Sequence, residues 1–141
     1  MSQSTAFRIA AAFGFVAVAL GAFGAHGLHD LLKQNQTDAI WEKAVFYHLI
    51  HTVMLFVLAG RAPLRHGPWF CFLAGIVIFS GSLYLLAVTN LRWWGAITPA
   101  GGLSFLAGWL WLLIAPLFGG ATNAPPTSDG SNKTRYTGGE E

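Results

Sequence analysis

The sequence predicts an all-α polytopic membrane protein in which four transmembrane helices form a bundle. Hydrophobic residues make up 54% of the 141 residues and charged residues only 10%. A soluble domain of this size does not need so apolar a composition. Four apolar stretches, separated by short polar or basic connections, are each long enough to cross a hydrocarbon core of about 30 Å.

The first predicted span covers residues 6–26, with Arg8 near its start. A secretory signal could begin in the same way, because the apolar run ends in small residues that suit a cleavage site. We expect the segment to be retained, since three further apolar segments follow that need helical partners. Gly14 and Gly21 lie in rows of small residues spaced four apart, which let two helix backbones approach closely in lipid. Gly27 is expected to end the helix in a left-handed conformation.

The second predicted span covers residues 40–60 and follows a polar connection. Residues 28–37 keep leucines on one edge, which predicts a short amphipathic turn at the membrane interface. Thr37 or Asp38 can cap the next helix, and Trp41 is placed as an interfacial anchor.

The third and fourth predicted spans cover residues 68–89 and 98–118. Proline suits the first turn of a helix, so Pro68 is expected to begin the third span. The fourth span is expected to begin at Pro99, with Thr98 as its N-cap.

Five small or hydroxylated residues on these two spans are expected to support close helix packing: Ser80, Gly81, Ser82, Ser104 and Gly108. Residues 1–120 then form one four-helix membrane domain. Residues 121–141 are rich in Pro, Ser, Thr, Asn and Gly, which predicts a disordered polar tail.

An even number of spans places both termini on one side of the membrane. That side holds five of the eight Lys and Arg residues, and the other side holds three. Because positive residues favour the cytoplasmic side, we expect a bacterial inner (plasma) membrane protein with both termini in the cytoplasm.

Several kinds of function are not expected from this sequence. Nucleic acid is not an expected partner, because no basic stripe alternates with aromatic residues. Cys71 is the only cysteine, so no intrachain disulfide or CxxC pattern exists. We find no nucleophile with Ser, His and Asp spacing and no pair of carboxylates within a span, so neither an enzyme nor a resident cofactor is expected.

Histidines near one end of the predicted bundle are the candidate site. His26 closes the first span, and Tyr47, His48, His51 and Thr52 follow at spacings of three and four that predict one shared helix face. Hydrogen bonds from these side chains to neighbouring helices are the favoured interpretation, with His26 closest to Tyr47 or His48.

A bound metal, haem or quinone is the alternative interpretation of this site. Ionisable groups within a membrane often serve a function, and two imidazoles three residues apart on one helix can share a ligand. The candidate binding residues would be His26, Tyr47, His48 and His51.

Four blocks of the sequence resemble the YgdD/YwdK-like family of small membrane proteins of unknown function. The blocks are ALGAFGAHGL at 19–28, Tyr47 with His51 and Thr52, FSGSLYLLA at 79–87, and ITPAGGLSFLAGW at 97–109. The resemblance implies a four-helix inner-membrane protein with no assigned activity. It places His26 and His51 at motif positions of the family, but not His29 or His48.

The expected function is therefore that of a non-catalytic packing partner, assembly factor or accessory subunit of a membrane complex. Its partners would be the lipid bilayer and either other membrane proteins or further copies of the chain. A small-molecule binder that uses the histidines is one alternative. A subunit of a small oligomeric transporter is another, although the sequence offers only scattered Ser and Thr for a polar path.

Overall fold

A computed structural model describes residues 1–115 of the protein, and the described chain is helical. The helices are α1 (Gln3–Ala25), α2 (His29–Asn35), α3 (Asp38–Ala59), α4 (His66–Gly75), α5 (Gly81–Thr89) and α6 (Trp94–Ile114). A π-helical turn, Ile76–Ser80, joins α4 to α5. The end of the fourth predicted span and the predicted tail, residues 121–141, lie outside the described residues.

Four helical stretches are long and apolar enough to cross a membrane, which confirms the predicted fold class. We call them span one (Gln3–Ala25), span two (Asp38–Ala59), span three (His66–Thr89) and span four (Trp94–Ile114).

Spans two and three form the centre of the bundle. Span one packs along span two, and span four packs along span three. In the described part of the chain, the backbones of spans one and four do not approach each other. The bundle is therefore open, with an outer helix on each flank.

Hydrogen bonds between loops and helix ends set the two ends of the bundle. At the end that holds the amino terminus, Gln3 Nε2 donates to the Arg61 carbonyl at 2.8 Å. At the opposite end, Thr37 Oγ1 donates to the Ala87 carbonyl at 2.8 Å, and Asn35 Nδ2 donates to the same carbonyl at 3.1 Å. These bonds tie α2 and the start of span two to the end of span three.

Aromatic rings packed against small residues fill the core. Trp69 and Phe72 of span three are fully buried among residues of the other spans. A Cβ added at Gly108 would lie 2.8 Å from Phe72 Cε1, so the ring occupies the space that the glycine leaves. In lipid such close packing, and not removal of apolar surface from water, stabilises helix association.

Most of the predicted packing residues make interhelical contacts. A Cβ at Gly14 would lie 3.5 Å from Thr52 Cγ2, and one at Gly21 would lie 3.3 Å from Val45 Cγ1. Gly81 differs, because a Cβ there would meet nothing within 4 Å. The glycine at that position is not required by a neighbouring helix.

The predicted hydroxyl positions serve both helix contacts and local bonds. Ser104 Oγ donates to the Cys71 carbonyl at 2.8 Å and so joins span four to span three. Ser82 Oγ donates to the Phe79 carbonyl at 3.0 Å and lies 2.8 Å from Thr98 Oγ1. Ser80 is fully buried.

Span four begins earlier than predicted, so the N-cap assigned to Thr98 is wrong. The helix starts at Trp94, and Pro99 lies inside it. Backbone bonds from Trp94 to Leu91 and from Gly95 to Arg92 start the helix within the aromatic segment. Pro99 is the sixth residue of this helix, where it removes the backbone hydrogen bond to the Gly95 carbonyl and its ring crowds that carbonyl.

The predicted left-handed conformation of Gly27 is also wrong, since no described glycine has positive φ. A Cβ at Gly27 would lie 2.5 Å from Phe23 Cε2, so space explains the glycine. Thr37 precedes span two, but its hydroxyl does not cap the helix because it donates to Ala87 instead.

Candidate functional site

The structure separates the four candidate binding residues. His26 is exposed just beyond the end of span one, where its backbone N–H bonds to the Ala22 carbonyl at 3.2 Å. Among the described residues, no hydrogen bond or ring contact joins His26 to Tyr47 or His48. The predicted contact is not formed, because the imidazole lies outside the bundle and the other two residues lie on span two.

His48 points towards spans one and three. Its side chain is 4% exposed, and Nδ1 lies 3.3 Å from the Tyr84 hydroxyl. The ring of Phe13, from span one, meets the imidazole edge-on with centroids 5.7 Å apart. His48 therefore links three spans through one side chain.

His51 points towards span four. Its Nδ1 lies 2.8 Å from the Tyr47 carbonyl, which can only accept, so Nδ1 carries the hydrogen. Nε2 is then free to accept from Trp109 Nε1–H at 3.4 Å. The imidazole also stacks on Phe105 at a centroid distance of 3.6 Å. Both nitrogens already have protein partners.

The predicted common face of span two is thus divided between two neighbours. Tyr47 and His51 lie one turn apart and border span four, whereas His48 and Thr52 lie one turn apart on the side of spans one and three. One residue step turns a helix by about 100°, which separates the two pairs.

A groove of about 600 Å³ opens beside Tyr47 and His51. Aromatic rings from three spans form much of its wall, including Phe79, Phe105 and Trp109. His26 and His48 do not line it. Only two of the four candidate residues therefore share a cavity.

Trp41 packs against the GAFGAHGL block, residues 21–28, and is buried. It is therefore not the interfacial anchor that the sequence suggested. Trp41 Nε1 donates to the Leu20 carbonyl at 3.1 Å, and the indole occupies the space that a side chain at Gly24 would need. Its ring also packs on Tyr84 at a centroid distance of 4.7 Å. Trp41 therefore fixes span two against span one.

Metal-binding geometry is missing from the described residues, where no group of three or more His, Cys, Asp or Glu side chains could hold an ion. His29 is exposed, and its Nδ1 lies 3.1 Å from Asp30 Oδ1. His48 and His51 contact different neighbouring helices, so the predicted pair does not converge on one metal or haem iron in this arrangement.

Three important partners were not singled out from the sequence: Tyr84, Trp109 and Trp41 as a buried donor. All three are large side chains with one polar atom, which in lipid find partners on adjacent helices. The sequence alone does not indicate which helix supplies the acceptor.

Comparison with known proteins matches residues 20–102 to a family described as "Protein of unknown function (DUF423)". The UPF0382 membrane protein YwdK of Bacillus subtilis (strain 168) is 43% identical over 107 residues, covering 71% of this chain and 85% of the relative. The UPF0382 inner membrane protein YgdD of Escherichia coli (strain K12) is 44% identical over 113 residues, covering 77% and 86%. UPF0382 membrane protein SH2409 of Staphylococcus haemolyticus (strain JCSC1435) is 47% identical over 105 residues, covering 71% and 84%. No solved structure matches the chain.

Proposed function

The chain belongs to the DUF423 family, whose relatives are named as membrane proteins without an activity, and from its geometry we propose that it acts without catalysis as a helix-packing component of a larger membrane assembly. Its role would be that of an accessory subunit or assembly factor. Other copies of the chain or different membrane proteins would cover its outer helices.

The open arrangement of the bundle carries this proposal. The backbones of spans one and four each lie along one central span, and both outer helices leave long faces uncovered. Phe15 is 76% exposed on span one, and Leu113 is 81% exposed on span four. Helices in lipid associate through shape and close packing, so a long unpartnered face on each flank offers room for further helices.

The use of the interior polar groups supports a role without catalysis. Both ring nitrogens of His51 are hydrogen-bonded to protein groups, and Trp41 Nε1–H donates to the Leu20 carbonyl. Ser82 and Ser104 donate to backbone carbonyls. These bonds join the helices to one another or brace a helix locally.

We further propose that the protein lies in a bacterial inner membrane with both termini in the cytoplasm. The relative YgdD is named an inner membrane protein. The connection that carries Arg61 and Arg65 lies at the end of the bundle that holds the amino terminus, as the bond from Gln3 to Arg61 requires. Positive connections favour the cytoplasmic side.

Purification from native membranes tests the proposed assembly. We expect native mass spectrometry in mild detergent to detect a particle heavier than the single 15.2 kDa chain, and its mass separates a homo-oligomer from a mixed complex. Val18→Trp on span one and Leu103→Trp on span four should reduce the heavier species, since both positions are more than 60% exposed (64% and 66%).

The matched control is Val77→Trp, on an exposed position of central span three. This variant should keep the heavier species. A wild-type protein that is strictly monomeric and free of partners would contradict the proposal.

A further inference from the structure

Four buried polar atoms have no hydrogen-bond partner among the described residues: Trp69 Nε1 and, away from it, His48 Nε2, Thr52 Oγ1 and Ser80 Oγ. The last three lie on spans two and three. Their side chains are deeply buried, with 4%, 1% and 0% exposure. A buried polar atom without a partner is costly, and each such atom in a native structure requires an explanation.

The antiparallel packing of the two spans brings these atoms to two successive levels of the bundle. His48 on span two lies beside Tyr84 on span three, with Nδ1 3.3 Å from the phenolic oxygen. One turn further along span two is Thr52, and one turn earlier along span three is Ser80. Because the spans run in opposite directions, these two hydroxyls belong to the same level, one turn away from His48 and Tyr84.

Apolar side chains enclose this polar cluster, and the backbone of Phe13 approaches the His48 ring. The ring of Phe13, on span one, covers the His48 ring. Gly14, also on span one, packs close to Thr52, since a Cβ at Gly14 would lie 3.5 Å from Thr52 Cγ2. Leu55 and Ile76 occupy the next layer and are 0% and 2% exposed. The cluster is therefore closed to lipid and to the amino-terminal end of the bundle.

The π-helical turn of span three ends at Ser80. Such turns insert an extra residue into an α-helix and are frequent at functional sites. Here the turn packs on both span two and span four, and Tyr84, one turn after Ser80, faces span two at His48.

We propose that His48, Thr52 and Ser80 bind an internal water molecule in the middle of the membrane. Water donates two hydrogen bonds and accepts two, and buried waters typically make about three. The water can accept a hydrogen bond from Nε2–H or donate one to a bare Nε2, so it can bind either tautomer of His48. The described residues place no carboxylate, lysine or arginine side chain in the cluster, which favours a neutral ligand over an ion.

The water extends a hydrogen-bonded chain from the Tyr84 hydroxyl through His48 to Thr52 and Ser80. Spans two and three are thereby joined by a polar network at two successive levels. This inference is independent of the proposed assembly, because it concerns only the interior of one chain.

Removal of the two hydroxyls tests the water site. Thr52→Val and Ser80→Ala should each lower the thermal unfolding midpoint by roughly 2–5 °C, because the water loses a partner. The double variant should lose less than the sum of the two, since both substitutions remove the same water.

Ser82→Ala serves as the matched control, because that hydroxyl already has protein partners: the Phe79 carbonyl on its own span and Thr98 Oγ1 on span four. Its unfolding midpoint shows how much stability is lost when a hydroxyl that bonds directly to protein groups is removed. In a dry cluster, deletion of an unpartnered hydroxyl leaves the midpoint unchanged or raises it, and this result would overturn the proposal.

Water-edited solid-state NMR of the wild-type protein in lipid bilayers gives a readout that does not depend on stability. With ¹⁵N-labelled histidine, the His48 ring signal, assigned by its loss in His48→Gln, should receive magnetisation from water. The His51 ring should not, because both of its nitrogens have protein partners. A His48 signal as shielded from water as that of His51 would overturn the proposal.

Discussion

Gly101→Ala is expected to lower the free energy of unfolding by about 2–3 kcal/mol. A Cβ at this position would lie 2.7 Å from both Cα and Cβ of Phe79 and closer still to its backbone nitrogen. A flexible side chain could turn aside, but the backbone of span three cannot. Spans three and four would have to separate along their contact. Thermal or denaturant unfolding in detergent micelles measures the loss.

Gly102→Ala is the control beside it. A Cβ there would lie 3.8 Å from Phe79 Cδ2, which is an ordinary contact distance. Stability should stay the same or rise slightly, because alanine favours helix over glycine by about 1 kcal/mol. Equal effects of the two substitutions would show that spans three and four do not pack through Gly101.

His51→Ala is expected to lower the free energy of unfolding by about 2–4 kcal/mol. The substitution removes the ring that stacks on Phe105 and leaves Trp109 Nε1–H without its acceptor. His51→Phe should cost less, because it keeps an aromatic ring in the stack and loses only the hydrogen bonds. Unfolding midpoints of the two variants, measured in the same detergent, compare the contributions.

His26→Ala provides the contrast within the family's motif positions. The side chain is exposed and makes no described side-chain contact, so stability should change by less than about 0.5 kcal/mol. If His51→Ala were as harmless as His26→Ala, the interpretation of His51 as a link between spans two and four would be wrong.

The spans and the family could be predicted from the sequence because both depend on local patterns. Hydropathy over about 20 residues identifies a spanning helix whatever its neighbours are. The four motif blocks predicted the family, and the comparisons confirm it. The start of span four was missed, since Trp93 and Trp94 resemble an interfacial loop while their backbone groups begin a helix.

The arrangement of the site could be predicted only in part. Spacing predicted one shared face for Tyr47, His48, His51 and Thr52, and this prediction is wrong because the four side chains meet different helices. Which helix each side chain meets depends on how span two is rotated in the bundle, which Trp41, seated over Gly24, helps to fix.

The closest glycine contacts were also missed for a physical reason. Rows of small residues indicate that a helix can be approached closely, and they do not identify the approaching group. Gly75 accepts the ring of Phe105 and Gly101 accepts the backbone of Phe79, so each glycine is explained by a residue far away in sequence.

Photo-crosslinking in native membranes tests most directly whether the outer faces of spans one and four carry the function. A photoreactive phenylalanine analogue, p-benzoylphenylalanine, would replace Phe15 on span one or Leu113 on span four, the two most exposed positions among the large hydrophobic residues described. We expect irradiation to yield, from at least one position, an adduct heavier than the chain by the mass of another polypeptide. Lipid adducts alone at both positions would contradict the proposed role.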